Sequence, residues 1–576
     1  MRNLFLLLLA VPCLASADIH YSATIEPEMK SVRVTMKVDS KGEPLTFRIP
    51  AWCPGFYTLK NYEREISDVK ATRADGTTLN LSHTDPRAWT VEPGKPESVT
   101  LSYRITGNDS GLGFFGVHVR RTSAFLNGPA AFMYVDGRKT EKCTLKLGLP
   151  KDWDYATAME RGSDGVFSAP EYDEFIDHPI ECGILKKAQF TSGGIPFEVA
   201  ASSMNGQFPN MALVARELAL LTEPVIRMFG GAPFKRYVFI IHLGAGEFAG
   251  GLEHRASCVM AITPSDPLDL GSLATHEFFH AWNVKQIRPK VLGPFDYTQK
   301  VRTGNLWFAE GVTDYYAHML TYESGVEGEG WLFQALSYEI DTLQSSDTRL
   351  QKTLEQVCKE TWESGGFGAG DLSYYTKGLV VGLILDAAIR DATNGVKSLD
   401  DVMRLLYERY RLPKPGYDED DLRKVINEVA MADLTPIYDQ CVRSTKEVPY
   451  GVLRSIGLQI VNPGRSEWAD SFDHRNDVVT HALPESEAAG LRTGDRILAR
   501  STESGWSPRP RMNLLVERDG EELALTVPMR AERTREFRLE KMTEVSERAL
   551  KLRNGWLRKK SIDLDLTASA AGANRR

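Results

Sequence analysis

His276-Glu277-Phe278-Phe279-His280 decides how the rest of this chain is read. Histidines four residues apart lie one turn apart on the same face of a helix, so both imidazoles reach a single ion. Glu277 follows the first histidine and faces the open position of that ion. The flanking residues Leu273, Ala274, Phe278, Phe279, Ala281 and Trp282 are apolar or small. Two imidazoles and a carboxylate buried in such a helix would be costly without partners, and a bound cation supplies them.

Such a site needs a third ligand. Leu306-Trp307-Phe308-Ala309-Glu310-Gly311-Val312-Thr313-Asp314 reads as a second apolar helix with a carboxylate inside it, and Glu310 is the candidate. Asp296 and Glu323 are the alternatives, both in loop-like sequence. Asp314 lies one turn beyond Glu310, where it can accept a hydrogen bond from the far nitrogen of a ligand histidine. Two histidines and one glutamate suit one Zn²⁺ per chain, with a fourth position left for water. His242, His254 and His318 read as structural.

Working outward, residues from about 18 to 195 alternate polar and apolar, as in Ser31-Val32-Arg33-Val34-Thr35-Met36-Lys37-Val38, and predict a β-sandwich-like domain. The period becomes helical after about 210. Ser398 is placed to cap a helix through Leu406, and another helix is expected from about Asp420 to Val429. The apolar stretch Gly378–Ile389 is too short to span a bilayer and contains Asp386, which predicts a buried core helix. Past Val448 the strand pattern returns. Ser486-Glu487-Ala488-Ala489-Gly490-Leu491, then Gly494-Asp495-Arg496-Ile497-Leu498, resembles a PDZ domain. The expected divisions are a signal peptide at 1–17, a β domain at 18–200, a catalytic domain at 201–446, a PDZ domain at 447–530 and a charged, solvated tail at 531–576.

The first residues carry one arginine, an apolar run from Leu4 to Leu14 and the small residues Ala15-Ser16-Ala17. That is the pattern of a secretory signal peptide, so the mature chain is expected to be secreted or periplasmic. Its six remaining cysteines are widely spaced and pair nothing obvious. With 42% hydrophobic and 25% charged residues and a formal net charge of −8, the chain is globular and has no domain-scale basic surface. Nucleic-acid binding and a membrane span are not expected.

The linked motifs His276-Glu277-x-x-His280-x-Trp282-Asn283-x-Lys285-x-x-Arg288-Pro289, Pro294-Phe295-Asp296-Tyr297 and Trp307-x-x-Glu310-Gly311-x-Thr313-x-Tyr315-Tyr316 resemble the glycyl aminopeptidase family of zinc metallopeptidases. The resemblance implies a multidomain α+β chain: an N-terminal β domain, a mainly helical thermolysin-like catalytic domain and a PDZ domain. Gly250-Gly251-Leu252-Glu253-His254 is similar to the strand with which aminopeptidase N-like enzymes hold the substrate's amino group, which implies that role for Glu253. Tyr375-Thr376-Lys377-Gly378 resembles the helix start that supplies an oxyanion hydrogen bond. This implies Tyr375 as the donor, with Tyr374 one residue away. The implied activity is hydrolysis of the first peptide bond, with small first residues such as Gly or Ala preferred. The alternatives are a zinc endopeptidase, and a scaffold whose PDZ module binds a peptide near Ile456-Gly457-Leu458 beside a relic catalytic domain.

Overall fold

The computed structural model describes residues 18–108, 113–244, 250–263, 270–502 and 510–557. The expected signal peptide at 1–17 and the end of the expected tail lie outside them. The chain forms two units: Met1–Gln459 together with Lys541–Arg576, and Ile460–Glu540.

The first unit begins β-rich. Its eight-stranded sheet is built on the antiparallel pair Ser31–Lys41 and Pro96–Thr106, with Val34 opposite Tyr103, and Ile19–Glu26 pairs on the other side of Ser31–Lys41. Alternation does the sorting: Val32, Val34, Met36 and Val38 are all fully buried. Two four-stranded sheets pack with it, and Leu45, Phe47, Val117 and Leu126 join one core. This part ends earlier than the expected boundary at residue 200. Strands Lys186–Ser192 and Ile195–Ser203 instead open the sheet that underlies the metal helix. Their alternation looks like that of the preceding strands, so it carries no sign that the sheet has changed.

That sheet runs in the order Lys186–Ser192, Ile195–Ser203, Tyr237–Leu243, Ser257–Ile262, Gly250–Glu253. Its three inner strands are parallel, and Tyr237–Leu243 is buried at every position, as a strand covered on both faces must be. The short edge strand Gly250–Glu253 runs antiparallel to Ser257–Ile262 beside the helix Gly271–Phe279. Helices Val312–Ser324, Glu329–Ser345 and Tyr374–Ala392 pack behind it. Gly378–Ile389 is buried throughout, and Asp386 accepts hydrogen bonds from Tyr315 Oη (2.7 Å) and Leu399 N–H (2.9 Å). Ser398 caps its helix, and the expected helix near 420 spans Asp421–Ala430. All six described cysteines are buried free thiols.

The sequence reading of 531–576 as a solvated tail fails for its described part. Helix Glu547–Trp556 belongs to the first unit and buries Ala549, Leu552 and Trp556, with Ser546 accepting a capping hydrogen bond from Ala549 N–H. The buried residues recur at helical spacing, but the charges between them dominate the composition. The same helix covers Ile456-Gly457-Leu458. Ile456 and Leu458 are fully buried, and the Gly457 carbonyl accepts from Met542 N–H and Arg553 Nη1 (both 3.0 Å). This stretch is therefore not an open groove for strand addition.

The second unit is a five-stranded antiparallel sheet, from Phe472–Arg475 to Glu521–Pro528 in chain order, with the short helix Pro484–Ala488. Its core is Phe472, Val479, Leu491, Leu514, Val516 and Val527. Buried Asp495 holds Arg518 through two hydrogen bonds (2.7 and 2.6 Å).

Candidate metal centre

His276 and Glu277 lie in the last turn of Gly271–Phe279, and His280 is its C-cap. The two Nε2 atoms are 2.9 Å apart and turn toward Glu310, whose Oε2 lies 3.2 Å from His280 Nε2 and 3.7 Å from His276 Nε2. The three donor atoms lie within 4.8 Å of one another, and these residues are the only such group among the described residues. The far nitrogens are occupied: His280 Nδ1–H donates to the Asn283 carbonyl (2.6 Å), and His276 Nδ1 lies 2.7 Å from Asp314 Oδ1. Each ring is thus held with Nε2 facing inward, the arrangement that orients ligand histidines. Asn283 also ties the centre together, since its Nδ2 donates to the Phe308 carbonyl (2.9 Å) and Thr313 Oγ1 (3.0 Å) beside Glu310.

Glu310 stands on a π-helical turn, Trp307–Gly311, that runs into Val312–Ser324. Such turns are rare and concentrate at functional sites. Two glycines allow the segment to sit where it does. A Cβ on Gly311 would lie 2.5 Å from Gly378 Cα, and one on Gly378 would lie 2.5 Å from the Trp307 carbonyl oxygen. The Glu310 turn and the Tyr375 helix therefore touch backbone to backbone.

Electrostatics follow this geometry. Burial disfavours the charged forms of His276 and His280, but Asp314 and Glu310 outweigh it and raise both imidazoles. Burial would also raise Glu310, but the same two imidazoles hold it at about 2. Glu277 is lifted to about 7 by burial, against the pull of His276 and His280. A cation entering this centre displaces protons from the imidazoles. The nitrogen and oxygen donor set, converging from one side, fits a zinc ion that keeps an open position.

Tyr375 and Tyr374 have separate surroundings. The Tyr375 ring is stacked 6.2 Å from that of His276, whereas Tyr374 is fully buried and donates its hydroxyl to the Gly366 carbonyl (2.7 Å). Asp296 binds Thr298 and Gln299, and Glu323 pairs with Arg227 (2.9 Å), so neither joins the metal group. His242 pairs with Glu181, His254 with Asp177, and His318 with the Asp314 carbonyl and the Trp331 ring.

Glu253 ends the edge strand, buried, in a cavity lined by Trp52, Gly55, Tyr57, Asp177, Lys285 and Phe295 among others. Gly251 of that strand presses on Glu277: a Cβ there would lie 2.3 Å from Glu277 Cδ. Gly55, at φ +91°, comes from the β-rich part, and a Cβ on it would lie 2.6 Å from Glu253 Oε2. The sequence reading missed Gly55, Tyr57, Asp177 and Lys285 as site residues. Lys285 stands in the quoted metal-helix motif, whereas the others carry no local signal.

Residues 20–184 match the peptidase M61 N-terminal domain, and residues 269–381 match the M61 glycyl aminopeptidase domain. A solved aminopeptidase N family protein from Idiomarina loihiensis aligns over 94% of this chain and 100% of its own, with 23% identity and a TM-score of 0.78, and shares the fold. An M1 zinc metallopeptidase from Deinococcus radiodurans, bound to a Tyr-Ser-Ala substrate, aligns over 75% of this chain and 94% of its own, with 15% identity and a TM-score of 0.48. No protein among those of curated function matches. The chain is a zinc metallo-aminopeptidase, a hydrolase of peptide bonds, with zinc as its cofactor. Its matching segments are those of the M61 glycyl aminopeptidases.

Proposed function

We propose that this protein is exported and removes the first residue from peptides, favouring small residues such as Gly and Ala. His276, His280 and Glu310 would hold the zinc, and Asp314 would fix the ring of His276. The observation that carries this reading is the convergence of those three donors beside Glu277, with Glu253 on the adjoining edge strand. When bound, the ion polarises the scissile carbonyl and makes water more acidic.

The protein's own groups do the rest. Glu253 takes the α-ammonium and so selects the first peptide bond. Glu277, buried and with a raised carboxyl, accepts the proton of the attacking water and returns it to the leaving amine. The Tyr375 hydroxyl donates to the oxyanion that develops at the carbonyl. Trp52, Tyr57 and Phe295 wall the cavity beside Glu253, and bulky walls favour a small first side chain. The second unit is proposed to be a PDZ-like module that binds a peptide, on the strength of its Gly-Asp-x-Ile-Leu strand. Export rests on the signal-peptide pattern. Among the described residues no helix is long and apolar enough to cross a membrane.

The test is kcat/KM for alanine p-nitroanilide against its N-acetyl form. Stranding a buried carboxylate without its partner costs about 3–5 kcal/mol, so the acetylated substrate should be slower by about 10²-fold or more. Equal cleavage of both would replace this reading with the endopeptidase alternative.

A further inference from the structure

Glu253 stands in a cluster of buried charged side chains. Lys285 Nζ lies 3.0 Å from Asp177 Oδ1 and 3.6 Å from Glu253 Oε1, and all three side chains are buried or nearly so. Asp177 also accepts the Arg255 backbone N–H (2.8 Å) and the His254 ring Nδ1–H (3.1 Å). Two of the neighbouring charges are engaged elsewhere. The Arg255 guanidinium pairs with Glu174 (3.0 Å), and Asp173 with Lys139 (3.2 Å). Arg288 sits over the Phe295 ring and has no carboxylate within 4 Å among the described residues. Two carboxylates and the Lys285 ammonium remain in contact with one another, and the Arg288 guanidinium lines the same cavity.

We propose that Lys285 is a positioning residue for the peptide's first residue. It holds Glu253 by Oε1, is itself anchored by Asp177, and leaves Oε2 to take the substrate's α-ammonium. The inference rests on the reading of Glu253 as the ammonium site and adds what sets that carboxylate's orientation and charge. The side-chain-free Gly55 leaves room at Glu253 Oε2, on the oxygen that Lys285 does not hold. Asp177 follows the helix Tyr172–Ile176, so the β-rich part of the unit takes part in recognising substrate.

The experiment uses the zinc-loaded full chain, with KM and kcat for alanine p-nitroanilide measured across pH in Lys285→Met, Lys285→Arg, Asp177→Asn and Glu253→Gln. Without the ammonium, two neighbouring buried carboxylates retain a proton. Lys285→Met should therefore raise KM by about tenfold or more near neutral pH with kcat within about threefold, and KM should fall back as pH rises. Lys285→Arg should restore most of the affinity. Asp177→Asn leaves a neutral Lys285–Glu253 pair, so KM should rise without that pH dependence, and this variant decides the matter if Lys285→Met does not fold. An unchanged KM in zinc-loaded Lys285→Met, or equal losses in kcat and KM that arginine does not rescue, overturns the inference. If Glu253→Gln keeps the wild-type preference for free over acetylated substrate, the Glu253 reading itself fails. If Glu253→Gln loses that preference and Lys285→Met keeps wild-type KM, only the role of Lys285 fails.

Discussion

Gly251 and Glu277 meet so closely that a single methyl group on the glycine would lie 2.3 Å from the glutamate's Cδ. The edge strand and the metal helix therefore fix each other's position at the residue proposed to move the proton. Gly251→Ala should keep zinc and the fold but displace Glu277 or the strand. Misplacement by about 1 Å can cost roughly 10²-fold in rate, so kcat should fall by about that much. Metal analysis alongside steady-state kinetics checks it, and a wild-type kcat would show that the contact has slack.

Glu277→Gln keeps the shape of the side chain and removes its proton affinity. Zinc content should stay at one per chain while kcat falls by about 10²–10⁴-fold, the usual range for a general base. A near-normal kcat would move the proton transfer to another group.

Replacing His276, His280 or Glu310 by alanine should abolish zinc retention and activity together. Asp314→Asn keeps all three donors and alters only the partner of His276 Nδ1. It should weaken zinc affinity by about 10–100-fold, as is usual when a ligand histidine loses its outer partner. Competition with a metal chelator measures this. Full zinc retention in Glu310→Ala would remove it from the ligand set.

The two adjacent tyrosines should separate cleanly. Tyr375→Phe should lower kcat by about 10²–10³-fold with little change in KM, as expected for a lost oxyanion donor. Tyr374→Phe leaves the Gly366 carbonyl without its donor and should act on stability instead, by about 1 kcal/mol. Thermal melts and kinetics on both variants decide, and the reverse pattern would exchange their roles.

How far the sequence reveals this molecule depends on whether each contact is local. His276, Glu277, His280 and Glu310 stand out because ionisable groups in apolar helices require partners. Asp314 follows from its one-turn spacing to Glu310. The π-helical turn under Glu310 carries no comparable mark, and the Gly311–Gly378 contact beside it joins segments distant in the chain. Asp177 and Lys285 meet only once the β-rich part has packed against the catalytic sheet. The helix Glu547–Trp556 shows its period in Ala549, Leu552 and Trp556, but surrounding charge disguises it as a tail.

That helix returns to the first unit after residues 460–540, and its Trp556 Nε1–H donates to Tyr315 Oη (3.0 Å), next to Asp314. The order of synthesis follows. On the ribosome the catalytic body stays unfinished until the whole second unit has been made, because its closing helix is translated afterwards. A nascent chain that stops within 460–540 has every proposed zinc ligand and lacks the helix that packs against Tyr315.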